Sequence, residues 1–121
     1  LKVIFCIGET YQQRRKKITN QTLNRQIQLG LKGIKDKKNI LIAYEPVWSI
    51  GTGLIPKKND LFKIIDFIKK RIKNLKVLYG GSVNQKNINE LKSINNIDGF
   101  LIGGASQDSK KFIDIIKKTY N

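Results

Sequence analysis

Glu45 stands where a carboxylate is useful for chemistry. It follows directly on an apolar run, Asn39-Ile-Leu-Ile-Ala-Tyr44, that reads as a buried strand, and Pro46 then stops the hydrogen-bond ladder. A carboxylate at a strand end is often only a surface charge. Here Pro46, Val47, Trp48 and Ile50 are placed to cover it with apolar surface. Desolvation raises a carboxyl pKa and makes a better base for a proton next to a carbonyl. Gly51 and Gly53 flank Thr52 and give a loop after the carboxylate the backbone freedom to move. Two further clusters, Gly80-Gly81-Ser82 and Gly103-Gly104-Ala105-Ser106, could hold an anion, because glycines let backbone N–H groups approach closely and a following helix start adds its dipole. Any one of these glycines alone would only make a tight turn. At successive strand ends they point to a phosphate site formed by Gly51, Ser82, Gly103 and Gly104.

The elements that must hold these residues can be read from the hydrophobic pattern. Lys2–Ile7 is a compact apolar strand bounded by Gly8, and Thr10–Lys17 is a short polar helix. From Thr19 or Asn20, both good N-caps, Leu23, Ile27, Leu31 and Ile34 recur at helical spacing until Gly33 and the Lys35–Asn39 turn end the helix. A second strand runs to Tyr44. Leu61, Ile64, Ile65, Ile68 and Ile72 form the stripe of an amphipathic helix that starts at Asp60. Lys76–Tyr79 is the third strand. A brief helix then carries Ile88, Leu91 and Ile94, with Asn84 or Asn87 as cap. Asp98–Ile102 is the fourth strand, and Phe112, Ile113 and Ile116 mark the final helix. The order βαβαβαβα, without linker or low-complexity tract, requires one α/β domain over residues 1–121, with a mainly parallel sheet and helical crossovers. The alternation fits half of a barrel and a small doubly wound sheet equally well.

Four segments together resemble the triosephosphate isomerase family: Phe5-Cys-Ile-Gly-Glu9, Ala43-Tyr-Glu-Pro-Val-Trp-Ser-Ile-Gly-Thr-Gly53, Tyr79-Gly-Gly-Ser-Val83 and Gly99-Phe-Leu-Ile-Gly-Gly-Ala-Ser106. They occur in the family's order and at roughly its spacing, with a stretch between the second and third that is several residues short. The resemblance spans almost the whole chain and favours the barrel. It implies parallel βα units forming the C-terminal half of a TIM (β/α)8 barrel, four strands from the fifth to the final helix. A complete barrel needs about 250 residues, so the 121 residues read as a fragment or truncated reading frame.

The same resemblance implies an activity, the interconversion of dihydroxyacetone phosphate and glyceraldehyde 3-phosphate in glycolysis and gluconeogenesis. Glu45 would move the proton through an enediolate. That family is itself a standard case of a base covered by a closing lid. The lid would comprise Pro46, Val47, Trp48, Ser49, Ile50, Gly51 and Thr52, with Glu9, Tyr79 and Ser82 as its partners. Glu9 has two readings side by side, a cap for the next helix and a partner of Trp48. In the family the tyrosine bonds a backbone N–H just past the lid and the serine bonds the lid's last glycine, here Gly53. Pro56 falls where that N–H should be and has none to give, so closure is expected to depend more on Ser82 with Gly53 than on Tyr79. The family's substrate-binding lysine and its histidine would precede Leu1, and this chain contains no histidine. The 121 residues alone are therefore expected to be inactive. A non-catalytic half-barrel and another phosphate-binding barrel enzyme stand as alternatives.

The composition narrows partners. The chain carries 24 Lys+Arg against 9 Asp+Glu, a net charge of +15, yet lysine outnumbers arginine 20 to 4 and is scattered without aromatic interleaving. Arginine is the better reader of phosphates and bases, so no nucleic-acid partner is expected. Cys6 lies in an apolar strand and reads as a structural buried thiol; one cysteine makes no internal disulfide and fits a reducing, cytoplasmic setting. No metal site and no cofactor are expected, and no apolar run is long enough to span a membrane. The expected partners are a small phosphorylated triose and, for a full-length protein, a second copy in a homodimer.

Overall fold

A computed structural model describes residues 1–121. Each apolar run becomes a strand: β1 (Val3–Ile7), β2 (Ile40–Tyr44), β3 (Val77–Tyr79) and β4 (Gly99–Phe100). All pair in parallel in one sheet of order β1-β2-β3-β4. The connections are α1 (Tyr11–Arg15) and α2 (Thr19–Gly30), α3 (Lys58–Arg71), and α4 (Ile88–Lys92); a 3-10 turn (Gly104–Gln107) and α5 (Ser109–Tyr120) follow β4. This is the architecture expected of half a (β/α)8 barrel. No helix is long and apolar enough to cross a membrane.

Strand alternation divides the sheet into two faces. Ile7, Ile42, Tyr44, Val77 and Tyr79 point to the helices and join Leu23, Ile27, Leu61, Ile65, Ile68, Ile88, Leu91 and Ile115 in one buried cluster. The intervening residues of β1, Ile4 and Cys6, lie exposed on the other face, and Leu41 and Leu78 are only half-buried. Cys6 is thus not the buried core thiol expected from its apolar neighbours. It alternates with Ile7 and so faces away from the helices.

Register decides where the chemistry sits. Ile7 pairs with Tyr44, Tyr44 with Tyr79, and Tyr79 with Phe100, so the strands end level with one another. The segments beginning at Gly8, Glu45, Gly80 and Leu101 therefore emerge side by side at the carboxyl edge. β4 is shorter than the expected Asp98–Ile102, although Asp98 and Leu101 still donate N–H groups to Val77 and Tyr79 at 2.9 Å.

Several boundaries differ from the pattern reading. The helix expected to reach Ile34 stops at Gly30, and Gly33 turns the chain with φ +79°, which leaves Ile34 exposed beyond the end. Neither Thr19 nor Asn20 caps it; the N-cap is Ile18, whose carbonyl accepts from Thr22 Oγ1. α3 begins at Lys58, with Asp60 in its first turn. In α5 the buried residue is Ile115, whereas Ile113 and Ile116 are exposed, because the helix turns its Ile115 side to the core.

Candidate active site

Glu45 is the first residue past β2, and its N–H donates to the Ile7 carbonyl at 2.7 Å. That bond extends the ladder by one step and fixes the backbone from which the side chain departs. Two glycines make room for it. A Cβ on Gly8 would lie 1.8 Å from the Glu45 carbonyl oxygen, and one on Gly80 would lie 2.7 Å from Glu45 Cγ and 2.9 Å from Oε1. Cys6 lies beside the same carboxylate. Partial burial and then the neighbouring Glu45 charge push its thiol pKa up, so it remains a thiol.

A cavity of about 480 Å³ opens beside Glu45. Its lining includes Gly51, Ser82, Gly103 and Gly104, so the structure brings together the carboxylate and all four anion-site candidates. Asn84, which the sequence offered only as a helix cap, also lines it. Its Oδ1 accepts the Lys86 and Asn87 N–H groups at the turn before α4. Despite the basic composition, no lysine or arginine lines this cavity. Charge for an anion must come from backbone donors, and the Gly104–Gln107 turn begins with N–H groups that have no partner inside it.

The segment after Glu45 folds over itself. Ser49 N–H donates to Pro46 O at 2.9 Å, while Thr52 Oγ1 donates toward Trp48 O and Ser49 O and accepts the Leu54 N–H. Gly51 and Gly53 sit at φ +70° and +79°, conformations that side chains disfavour. Of the four apolar residues expected to cover Glu45, Ile50 lines the cavity and Pro46 is buried. Val47 and Ile50 are both exposed, and Trp48 is turned toward Glu9.

Two anchors hold this segment. On the β1 side, the fully buried Glu9 accepts Tyr44 OH at 3.0 Å on each oxygen and Trp48 Nε1 at 3.3 Å. The Glu9 carbonyl takes the Val47 N–H. Glu9 does not cap α1; Thr10 does, in a capping box with Gln13. Burial and the adjacent Glu9 charge raise the Tyr44 pKa, so its phenol keeps the proton it donates. Arg14 completes the group at 3.6 Å from Glu9, 3.7 Å from Asp60 and 4.6 Å over the Trp48 ring. Nothing in the sequence marked Arg14, which lies in an ordinary basic stretch.

On the β3 side, Ser82 Oγ accepts the Gly53 N–H at 2.9 Å and donates to Ser49 O at 2.5 Å. Tyr79 OH lies 3.0 Å from Ser49 Oγ. The family resemblance put Pro56, which lacks an N–H, where the partner of Tyr79 would be; the partner it has is the side chain of Ser49, named above only as part of the lid. Burial pushes the Tyr79 pKa up to about 12.

A sequence profile of triosephosphate isomerase matches residues 1–119. The chain is 42% identical to the triosephosphate isomerase of Thermodesulfovibrio yellowstonii, over 97% of this chain and 51% of that protein. It is 44% identical to that of Leptospira biflexa (97% and 52%) and 45% identical to that of Prochlorococcus marinus (93% and 46%). The chain spans about half the length of the curated relatives it matches.

Proposed function

This chain belongs to the triosephosphate isomerase family, and from that premise we propose that it supplies the base, the lid and the phosphate loops of a triose-phosphate isomerase. The observation that carries the reading is the single cavity lined by Glu45, Gly51, Ser82, Gly103 and Gly104 beneath an anchored loop. Glu45 takes a proton from the carbon next to the substrate carbonyl, leaving an enediolate, and returns it to the neighbouring carbon, while the hydroxyl proton passes from one enediolate oxygen to the other. Backbone donors around Gly51, Ser82, Gly103 and Gly104 hold the phosphate. Pro46 to Thr52 cover the intermediate and keep water from it.

The developing enediolate oxygen needs a cationic or imidazole electrophile that this cavity does not offer, since no lysine or arginine lines it and the chain has no histidine. That electrophile comes from βα units outside these 121 residues, which also cover the sheet face bearing Ile4 and Cys6. Taken alone, the 121 residues are a non-catalytic half-barrel. The complete protein is a homodimer that needs no cofactor.

An isomerase assay of the 121 residues with and without the complementary half tests both statements. Activity is expected only when the halves are joined or mixed. Robust isomerisation by the 121 residues alone, or none from the complete barrel, would overturn the reading.

A further inference from the structure

Resting on the reading just proposed, we infer that Ser49 is a positioning residue, whose hydroxyl locks the covering segment onto the loop after β3. Ser49 is fully buried, and its Oγ meets three partners. It donates to Leu54 O at 2.5 Å, accepts the Ser82 N–H at 3.0 Å, and lies 3.0 Å from Tyr79 OH. A hydroxyl has one proton and two lone pairs. The Leu54 carbonyl can only accept and the Ser82 amide can only donate. The remaining lone pair therefore takes the Tyr79 proton, and all three sites of the hydroxyl are filled.

The topology of these bonds gives the hydroxyl its role. Leu54 lies past the end of the covering segment, so one bond ties the middle of the segment to its C-terminal flank. The other two cross to β3 and the residues after it. Ser82 Oγ reinforces the junction by bonding Ser49 O and the Gly53 N–H. The approach is close: a Cβ on Gly81 would lie 2.6 Å from Ser49 Oγ and 2.2 Å from Tyr79 OH. If the segment lifts, water satisfies all four groups. Deleting Oγ thus weakens the closed arrangement and leaves the open one untouched.

Amide hydrogen exchange of the complete protein tests this without relying on catalysis. In Ser49→Ala, exchange at the Gly53 and Ser82 amides should accelerate roughly tenfold, while the buried amides of α3 around Ile65 keep their protection. Tyr79→Phe should accelerate the same amides, and the double variant should add less than the sum of the two, because both act through one junction. Acceleration spread equally to α3 would assign Ser49 a general structural role and overturn the proposal, as would unchanged exchange or full additivity. The isomerase activity of the unsubstituted protein is read separately: its absence would defeat the functional reading and leave the exchange result to decide the role of Ser49.

Discussion

Ser82 Oγ accepts the Gly53 N–H at 2.9 Å, tying the last glycine of the covering segment to the loop that follows β3. The same oxygen donates to Ser49 O, so the Ser82 hydroxyl holds the segment by two bonds, whereas the Tyr79 hydroxyl holds it by one. Each net hydrogen bond is worth about 0.5–1.5 kcal/mol. In the complete enzyme, Ser82→Ala is expected to lower kcat/KM several-fold more than Tyr79→Phe. Equal losses in the two variants would show that the Ser82 bonds do not dominate closure.

Glu45→Gln preserves the shape of the side chain and removes its basicity. In the complete enzyme kcat should fall on the order of 10²–10⁴-fold, with inorganic phosphate binding changed less than about twofold. A near-normal kcat would remove Glu45 from the role of base.

Gly8 and Gly80 both make room for Glu45, but against different atoms. A Cβ on Gly8 meets the Glu45 carbonyl, main-chain atoms of a residue whose own N–H is bonded to Ile7 O, and these cannot rotate aside as a side chain can. Gly8→Ala should therefore destabilise the fold, by about 1–3 kcal/mol in denaturant unfolding. A Cβ on Gly80 meets the Glu45 side chain, which can rotate away. Gly80→Ala should keep most of the stability and lose kcat, up to about 10²-fold for a 1 Å displacement of the base. The reverse ranking, with activity following Gly8 and stability following Gly80, would contradict these contacts.

Asp98 ties the start of β4 to β3 and α3. Partial burial works against its charge, but the Val77 N–H at 2.8 Å and Lys69 Nζ at 2.9 Å outweigh it and hold the carboxyl pKa below its ordinary value. A depressed folded-state pKa stabilises above the unfolded value and ceases to do so as pH falls through the folded one. Asp98→Asn should cost about 0.5 kcal/mol at pH 7, a small figure because the group is exposed and screened. The difference should shrink below about pH 4, where the carboxylate begins to protonate in the unfolded chain. A cost that stayed constant from pH 7 to pH 3 would exclude the ionised carboxylate as its source.

What the sequence made legible was whatever local order determines. Tyr44-Glu45-Pro46 announces a strand that stops at a carboxylate, and Gly80-Gly81 and Gly103-Gly104 announce turns after strands. Parallel pairing then aligned those ends in one cavity. The exposure of Cys6 and Ile116 was not legible, because an apolar run does not state which of its faces meets a neighbour. Ser49 and Arg14 escaped for a different reason. Their importance lies in bonds that span about thirty residues or more, Ser49 to Tyr79 and Arg14 to Trp48, and no periodicity encodes such a pairing.

Trp48 is the only indole in these 121 residues. Its Nε1 donates to the Glu9 carboxylate, and the Arg14 guanidinium lies over its ring. A cation over the ring face and an anion at its N–H edge impose an electric field on the indole, and that field would disappear if the segment lifted and water replaced both. Light absorbed selectively by tryptophan in this half of the protein is therefore emitted from a single spot on the proposed lid. Its colour is an optical signal, built into the chain, of whether that element is seated.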